Sequence, residues 1–193
     1  MRQEYIDILK TRCSRDNINK LIELKNEALL EFIVKYIKLC NPDSVFVRTD
    51  SKEDARYIKD KAIELKEEIK LKTSGHTVHF DGFFDQARDK ENTRYLLDKS
   101  VDLGPHINRV DKQKGINEIH TYLENIMKGK EVYICFFCLG PVNSIFSIPA
   151  VQITDSSYVA HSEDILYRSG YSQFKRLRQK DDFFKFVHSA GEL

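Results

Sequence analysis

Tryptophan is missing from the 193 residues, and proline occurs only four times and glycine eight. No repeat or low-complexity linker interrupts the chain, and its 41% hydrophobic content suits a packed globule rather than a disordered one. An excess of charge is missing too. Lysine and arginine number 31 against 30 acidic residues, a formal net charge of +1. A dedicated nucleic-acid binder carries a clear basic surplus, so no nucleic-acid partner is expected. Nor is there an apolar run near the roughly 18–20 residues that cross a bilayer. The N-terminal MRQEYIDILKTRCSRD scatters charge where a signal peptide has its apolar core. No membrane partner is expected, and the expected location is cytoplasmic. Four cysteines in a chain of this size do not make a secreted disulfide framework, so free thiols are expected.

Several chemical signatures are absent as well. Neither G-x-x-x-x-G-K-[ST] nor G-x-G-x-x-G occurs, which leaves no phosphate loop, and H-E-x-x-H and a nucleophile elbow are also lacking. Cys135 and Cys138 form a C-x-x-C, but Cys13 and Cys40 supply no second pair for zinc. On a strand, residues three apart face opposite sides, so these two read as buried structural thiols. The six histidines are scattered; His76 and His79, three apart on an apparent strand, do not converge as ligands.

What is present is an alternation of strands and helices. Apolar residues recur at helical spacing from Asp16 to Leu39, in one set at Ile18, Leu21 and Ile22 and another at Leu29, Phe32, Ile33, Tyr36 and Ile37. Asn41-Pro42-Asp43 closes that region, and SVFVRT follows as a strand with Val45 and Val47 on one face. Ser51 caps a helix whose first turn holds Glu53 and Asp54. The pattern predicts a strand-like start at HTVHF, a helix from about Ile116 to Met127 with Gly129 as its C-cap, and a doubly buried strand EVYICFFCL. It further predicts a strand over 150–154, a helix from Ser156 or Ser157 toward Arg168 stopped by Gly170, and a strand at FFKFVH. The class is α/β, a mixed β-sheet covered by helices, in one domain over 1–193 with a helical region at 1–40.

Between Pro141 and Thr154 there is no charge, and the run ends in the polar knot Thr154-Asp155-Ser156-Ser157-Tyr158. The run is expected to be a loop and strand in the buried layer, with the knot at the sheet edge where ligands bind in open α/β sheets. Arg56 lies early in the helix after the SVFV strand, and a guanidinium there could grip a carboxylate with two parallel hydrogen bonds. Lys52, Glu53, Asp54 and Asp60 surround it, so a solvated helix charge fits equally well.

A resemblance adds to this. MKGKEVYICFFCLGPVNSIFS, residues 127–147, resembles the block M-K-G-R-x-M-Y-V-x-P-F-x-M-G-P-x-G-S-P-x-S of the GTP-dependent phosphoenolpyruvate carboxykinases. Met127, Lys128, Gly129, Tyr133, Phe137, Gly140, Pro141, Ser144 and Ser147 are kept. TDSSYVA, residues 154–160, is similar to the family's T-D-S-P-Y-V-V; Arg168 and Gly170 match an R-M-G, and FVHSAG an L-H-S-V-G. The spacing holds without a gap from Met127 to Gly170, and a thinner likeness reaches back to about residue 41. Asn143 and Ala150 replace family glycines, and Ile145 and Ser157 replace prolines. RTDSKEDARYIKDKAI is similar to T-D-P-x-D-V-A-R-x-E-S-K-T, which places Arg56 on the family arginine that binds the carboxylate of oxaloacetate or phosphoenolpyruvate.

The resemblance implies the N-terminal, substrate-binding domain of a decarboxylating lyase that converts oxaloacetate and GTP to phosphoenolpyruvate, GDP and carbon dioxide, the reaction of gluconeogenesis. GTP and manganese or magnesium are then expected on a C-terminal nucleotide-binding domain, with none bound by this chain. No catalytic or metal-ligating residue is expected here, and the chain alone is expected to be inactive. Three alternatives stay open: a stand-alone carboxylate-binding module without catalysis, a regulatory subunit docking on a separate nucleotide-binding chain, and a thiol or zinc module on Cys135 and Cys138.

Overall fold

The computed structural model describes residues 3–82, 89, 91–179 and 181–191. These divide into two compact units; the smaller, Phe80–Glu124, is inserted in sequence between the two parts of the larger.

The larger unit opens with three helices, α1 (Gln3–Lys10), α2 (Arg15–Glu23) and α3 (Glu27–Cys40). The two apolar sets of the helical region belong to separate helices. The chain breaks at Lys25 (φ +50°), and Asn26 restarts it by accepting a hydrogen bond from the Leu29 N–H at 3.0 Å. Asn41 then ends α3 in the left-handed conformation (φ +55°), which asparagine tolerates better than most residues. Strand β1 (Ser44–Val47) buries Val45 and Val47, and α4 (Lys52–Glu64) starts at Ser51, whose Oγ accepts from the Asp54 N–H at 3.1 Å. A two-stranded antiparallel ribbon of β2 (Ile69–Lys70) and β3 (Thr77–Val78) follows.

In the smaller unit, β4 (Tyr95–Leu97) pairs in parallel with β5 (Arg109–Asp111), and α5 (Lys112–Leu123) is capped by Asp111. This helix begins and ends about four residues earlier than the periodicity predicts. Its first turn is polar and holds Gly115, so only the Asp111 cap marks the true start; Gly129 lies beyond it in a turn with φ +81°.

The larger unit resumes with β6 (Glu131–Leu139), β7 (Ile148–Thr154), α6 (Ser157–Leu166), β8 (Arg168–Ser169), α7 (Tyr171–Phe174) and β9 (Phe184–His188). The sheet order is β1-β6-β7-β9, with β8 also on β6. β1 runs parallel to β6, β7 runs antiparallel to β6, and β9 runs parallel to β7, which makes the sheet mixed. Arg168 and Gly170 depart from expectation: Arg168 pairs with Cys138 in β8, and Gly170 precedes α7 rather than ending α6.

Seven central residues of β6 are buried, so it is covered on both faces. On one face Tyr133, Cys135, Phe137 and Ala150 lie under Ile58 of α4 and Ala160 of α6. On the other, Phe136 meets the rings of Tyr171 and Phe174 at 5.5 and 4.9 Å. Full burial of such a side chain contributes about 1.5–3 kcal/mol. The uncharged run is buried only in its second half. Residues 149–154 are in the core, whereas Ile145 and Phe146 stand in solvent in the β6–β7 connection.

Candidate functional site

The polar knot after β7 is consumed by the chain itself. Asp155 accepts hydrogen bonds from Lys130 Nζ at 2.9 Å, Ser189 Oγ at 2.6 Å and the Ala190 N–H at 2.8 Å, and its side chain is fully buried. Ser156 Oγ accepts from the Val159 N–H at 3.1 Å, capping α6, and donates to Glu67 Oε2 at 2.9 Å. Glu67 Oε2 also takes the Tyr158 N–H at 2.6 Å, and Thr154 Oγ1 lies 2.9 Å from His188 Nδ1. The knot therefore ties α6, β9 and the β6 entrance together. Because β7 is antiparallel to β6, the sheet has no single carboxyl edge, and the knot leaves the sheet in the direction opposite to β1 and β6.

The other strand-to-helix joint, β1 to α4, is different. Thr49 donates to Asp54 Oδ2 through its N–H at 2.8 Å and its Oγ1 at 2.6 Å, and Lys20 Nζ reaches the same carboxylate at 3.0 Å. Burial pushes the Asp54 carboxyl up, but the bonds from Thr49 and Lys20 outweigh it and hold the group below its usual range. Asp50 accepts from the N–H groups of Tyr171 and Ser172 at 2.9 and 2.8 Å. Arg48 is buried and forks between Asp164, at 2.7 Å, and Ser169 Oγ, at 3.0 Å. Burial raises the Asp164 carboxyl while Arg48 opposes the rise. Three short segments are thus pinned at the start of α4.

Arg56 sits on this joint, in the second turn of α4. It is exposed and has no hydrogen bond or ion pair among the described residues. The next residue, Tyr57, faces the sheet: its ring stacks on Phe46 with centroids 4.2 Å apart, and its hydroxyl donates to Glu131 at 3.0 and 3.1 Å. Burial and the Glu131 carboxylate push the Tyr57 phenol up to about 12, so it remains a donor. Arg56 is therefore an exposed guanidinium with no protein partner among the described residues, on a helix whose start is fixed on three sides. Such a group can take a carboxylate without first breaking a bond.

No second predicted site residue converges on Arg56. Sequence reasoning missed Lys20, Thr49 and Asp54 as its support, although Ser51 and Asp54 already stood in a capping spacing. It also missed the Arg48–Asp164 pair, since nothing in the sequence links two charges so far apart. Cys135 and Cys138 are free, buried thiols, as their alternation on the strand implied, and burial pushes the Cys135 thiol up. Among the described residues no three His, Cys, Asp or Glu gather as a metal shell, and the sequence carries no phosphate loop.

Residues 31–193 match the family described as phosphoenolpyruvate carboxykinase N-terminal domain. The chain belongs to that family. Among its relatives, a protein named phosphoenolpyruvate carboxykinase (GTP) from Thermococcus sibiricus is 56% identical over 97% of this chain. A protein of the same name from Thermococcus kodakarensis is 52% identical over 97% of the chain. One from Sulfurisphaera tokodaii is 47% identical over the whole of this chain, helices α1 to α3 included. The likeness thus reaches further toward the N-terminus than the motifs alone indicate. The chain spans about 30% of the length of these carboxykinases. Where Asn143 replaces a family glycine, its φ of +59° keeps a conformation that glycine adopts freely.

Proposed function

We propose that this chain is the substrate-binding N-terminal domain of a longer, cytoplasmic, GTP-dependent phosphoenolpyruvate carboxykinase. In that enzyme oxaloacetate loses carbon dioxide; the C–C bond breaks, its electrons form an enolate, and the enolate oxygen accepts the γ-phosphoryl group of GTP as the bond between the γ-phosphorus and the bridging oxygen breaks and GDP leaves. Nucleotide and manganese or magnesium are assigned to a C-terminal domain outside this chain. Arg56 clamps the carboxylate that oxaloacetate and phosphoenolpyruvate share. It restricts rotation about that end of the substrate, so that the reacting oxygen is presented in a single orientation. The pinned joint beneath it, through Asp54, Thr49 and Lys20, holds the helix start so that the guanidinium does not drift.

The observation that supports this reading is an exposed guanidinium with no partner among the described residues, on a braced helix start inside the span that matches the family. The test is turnover. With oxaloacetate, GTP and manganese, the 193-residue chain should release no phosphoenolpyruvate above blank, while the full-length chain should release it readily. Turnover by the 193 residues alone would overturn the division of labour, and an inactive full-length protein would overturn the activity.

A further inference from the structure

At the end of the sheet toward which β6 runs, the surface is apolar. The β6–β7 connection presents Ile145 at 93% exposure and Phe146 at 71%. Register places more apolar surface beside it. Arg168 pairs with Cys138 and donates from Nη1 to Gly140 O at 3.1 Å, which brings the exposed Ile165 and Leu166 at the end of α6 to this connection. Ile148 pairs with Leu139 and Phe184 with Ala150, so the exposed Ile148 and the exposed Phe184, which opens β9, flank the same end. Single exposed apolar residues are ordinary, but a cluster at one end of a sheet marks an interaction face.

The connection is braced rather than loose. Gly140 has φ +77°, and a Cβ there would lie 2.6 Å from the Phe146 carbonyl oxygen, so the chain folds back on itself only with glycine. The Ser144 N–H donates to Ser147 Oγ at 3.0 Å, Ser147 Oγ to the Pro141 carbonyl at 2.6 Å, and the Phe146 N–H to Ser144 Oγ at 3.2 Å. The Asn143 N–H donates to Gln173 Oε1 at 3.0 Å, and Asn143 Oδ1 accepts from Arg176. Two bare apolar side chains are thus held on a framework of polar bonds. The cost of ordering them is met before any partner arrives.

We propose that this apolar end is a docking face for the remainder of the polypeptide in the longer enzyme, with Ile145 and Phe146 as its anchors. The assignment rests on the reading of the chain as the N-terminal part of a carboxykinase. Three observations select this occupant. The relatives carry about 70% of their length outside the segment matched here, and the connection lies inside the family match. β1 and β6 both run toward this end, and α4 with Arg56 starts where β1 leaves off, so a domain closing over Arg56 approaches from the same direction. Residues 141–148, the part of the uncharged run outside the core, carry no charge, which suits a permanent contact within one chain better than an encounter between separate ones.

Hydroxyl-radical footprinting of the full-length chain and of the 193-residue chain, read by mass spectrometry, tests this. Oxidation of Ile145 and Phe146 should fall by roughly five-fold or more in the full-length chain, as expected for side chains in an interface core. Leu65 and Ile69, exposed beyond α4, should label alike in both. A double variant, Ile145→Ser with Phe146→Ser, should leave the melting of the 193-residue chain unchanged and lower that of the full-length chain. Equal labelling of the anchors in both chains overturns the docking face even if the full-length enzyme is active, and then leaves the functional reading intact. Protection that appears in the 193-residue chain and grows with its concentration assigns the face to a second copy and also overturns it. Protected anchors in a full-length protein without turnover uphold the face and refute the functional reading instead.

Discussion

Glu163, on α6, is a carboxyl group whose ionisation the fold resists. Burial, with a smaller push from Asp164 and against a hydrogen bond from Gln152, raises its carboxyl to about 7. Its Oε2 is buried with no hydrogen-bond partner among the described residues. The folded pKa is raised, so the folded state keeps a proton that the unfolded chain has already lost between about pH 4.5 and 7. Stability therefore falls as pH rises through that window, and the full cost stands above it. Glu163→Gln should remove the cost. Its melting temperature should exceed that of the parent by about 2–6 °C at pH 8, for about 1–2 kcal/mol, and match it at pH 4. The lower energy allows for a side chain that is only partly buried. An equal gain at both pH values would mean that packing rather than charge is responsible. At the same scale, the free thiols of Cys135 and Cys138 are buried among β6 neighbours. An exposed-thiol reagent should modify them slowly in the native chain and promptly in urea, and stoichiometric zinc in the purified protein would contradict that.

At the scale of elements, the joint from α6 through β8 to α7 depends on Gly170. Its N–H donates to Phe136 O at 2.9 Å, and a Cβ there would stand 2.5 Å from the carbonyl carbon and oxygen of Phe137. Those are backbone atoms of the central strand and cannot step aside as a side-chain tip can. Gly170→Ala should cost about 2 kcal/mol or more in a urea titration, and a neutral result would show that β8 separates from β6 at little cost. The strands and caps that rest on local chemistry were legible in the sequence: β1 by its alternation, α4 by Ser51, β6 by its apolar run, and α6 by Ser156. What was not legible depends on contacts distant in sequence. The two-residue β8 exists only because it pairs with β6, and the break before α3 needs a positive φ at Lys25 that no residue type announces. Burial of the uncharged run was misjudged for the same reason. Composition alone does not separate a buried strand from a braced apolar connection such as residues 140–147.

At the scale of the whole molecule, the candidate site was legible as one residue, through resemblance. The sequence left Arg56 open between clamp and solvated charge, and its support lay hidden in Lys20 and Asp54, 34 residues apart. The structure leaves Arg56 without a partner among the described residues and fixes the helix start beneath it. A guanidinium so placed should bind a carboxylate in the complete enzyme and contribute little to the fold. Kinetics of Arg56→Ala in the full-length chain, with melting curves alongside, test this most directly. Losing one two-pronged, charge-assisted contact should cost on the order of 2–4 kcal/mol, roughly 30- to 1000-fold in kcat/KM, with an unchanged melting temperature. Arg56→Lys should recover only part of the loss, because an ammonium cannot reproduce the planar fork, and the exposed neighbour substitution Lys52→Ala should change little. Full activity in Arg56→Ala, or a loss that follows its melting curve, would contradict the account and return Arg56 to the status of a solvated helix charge.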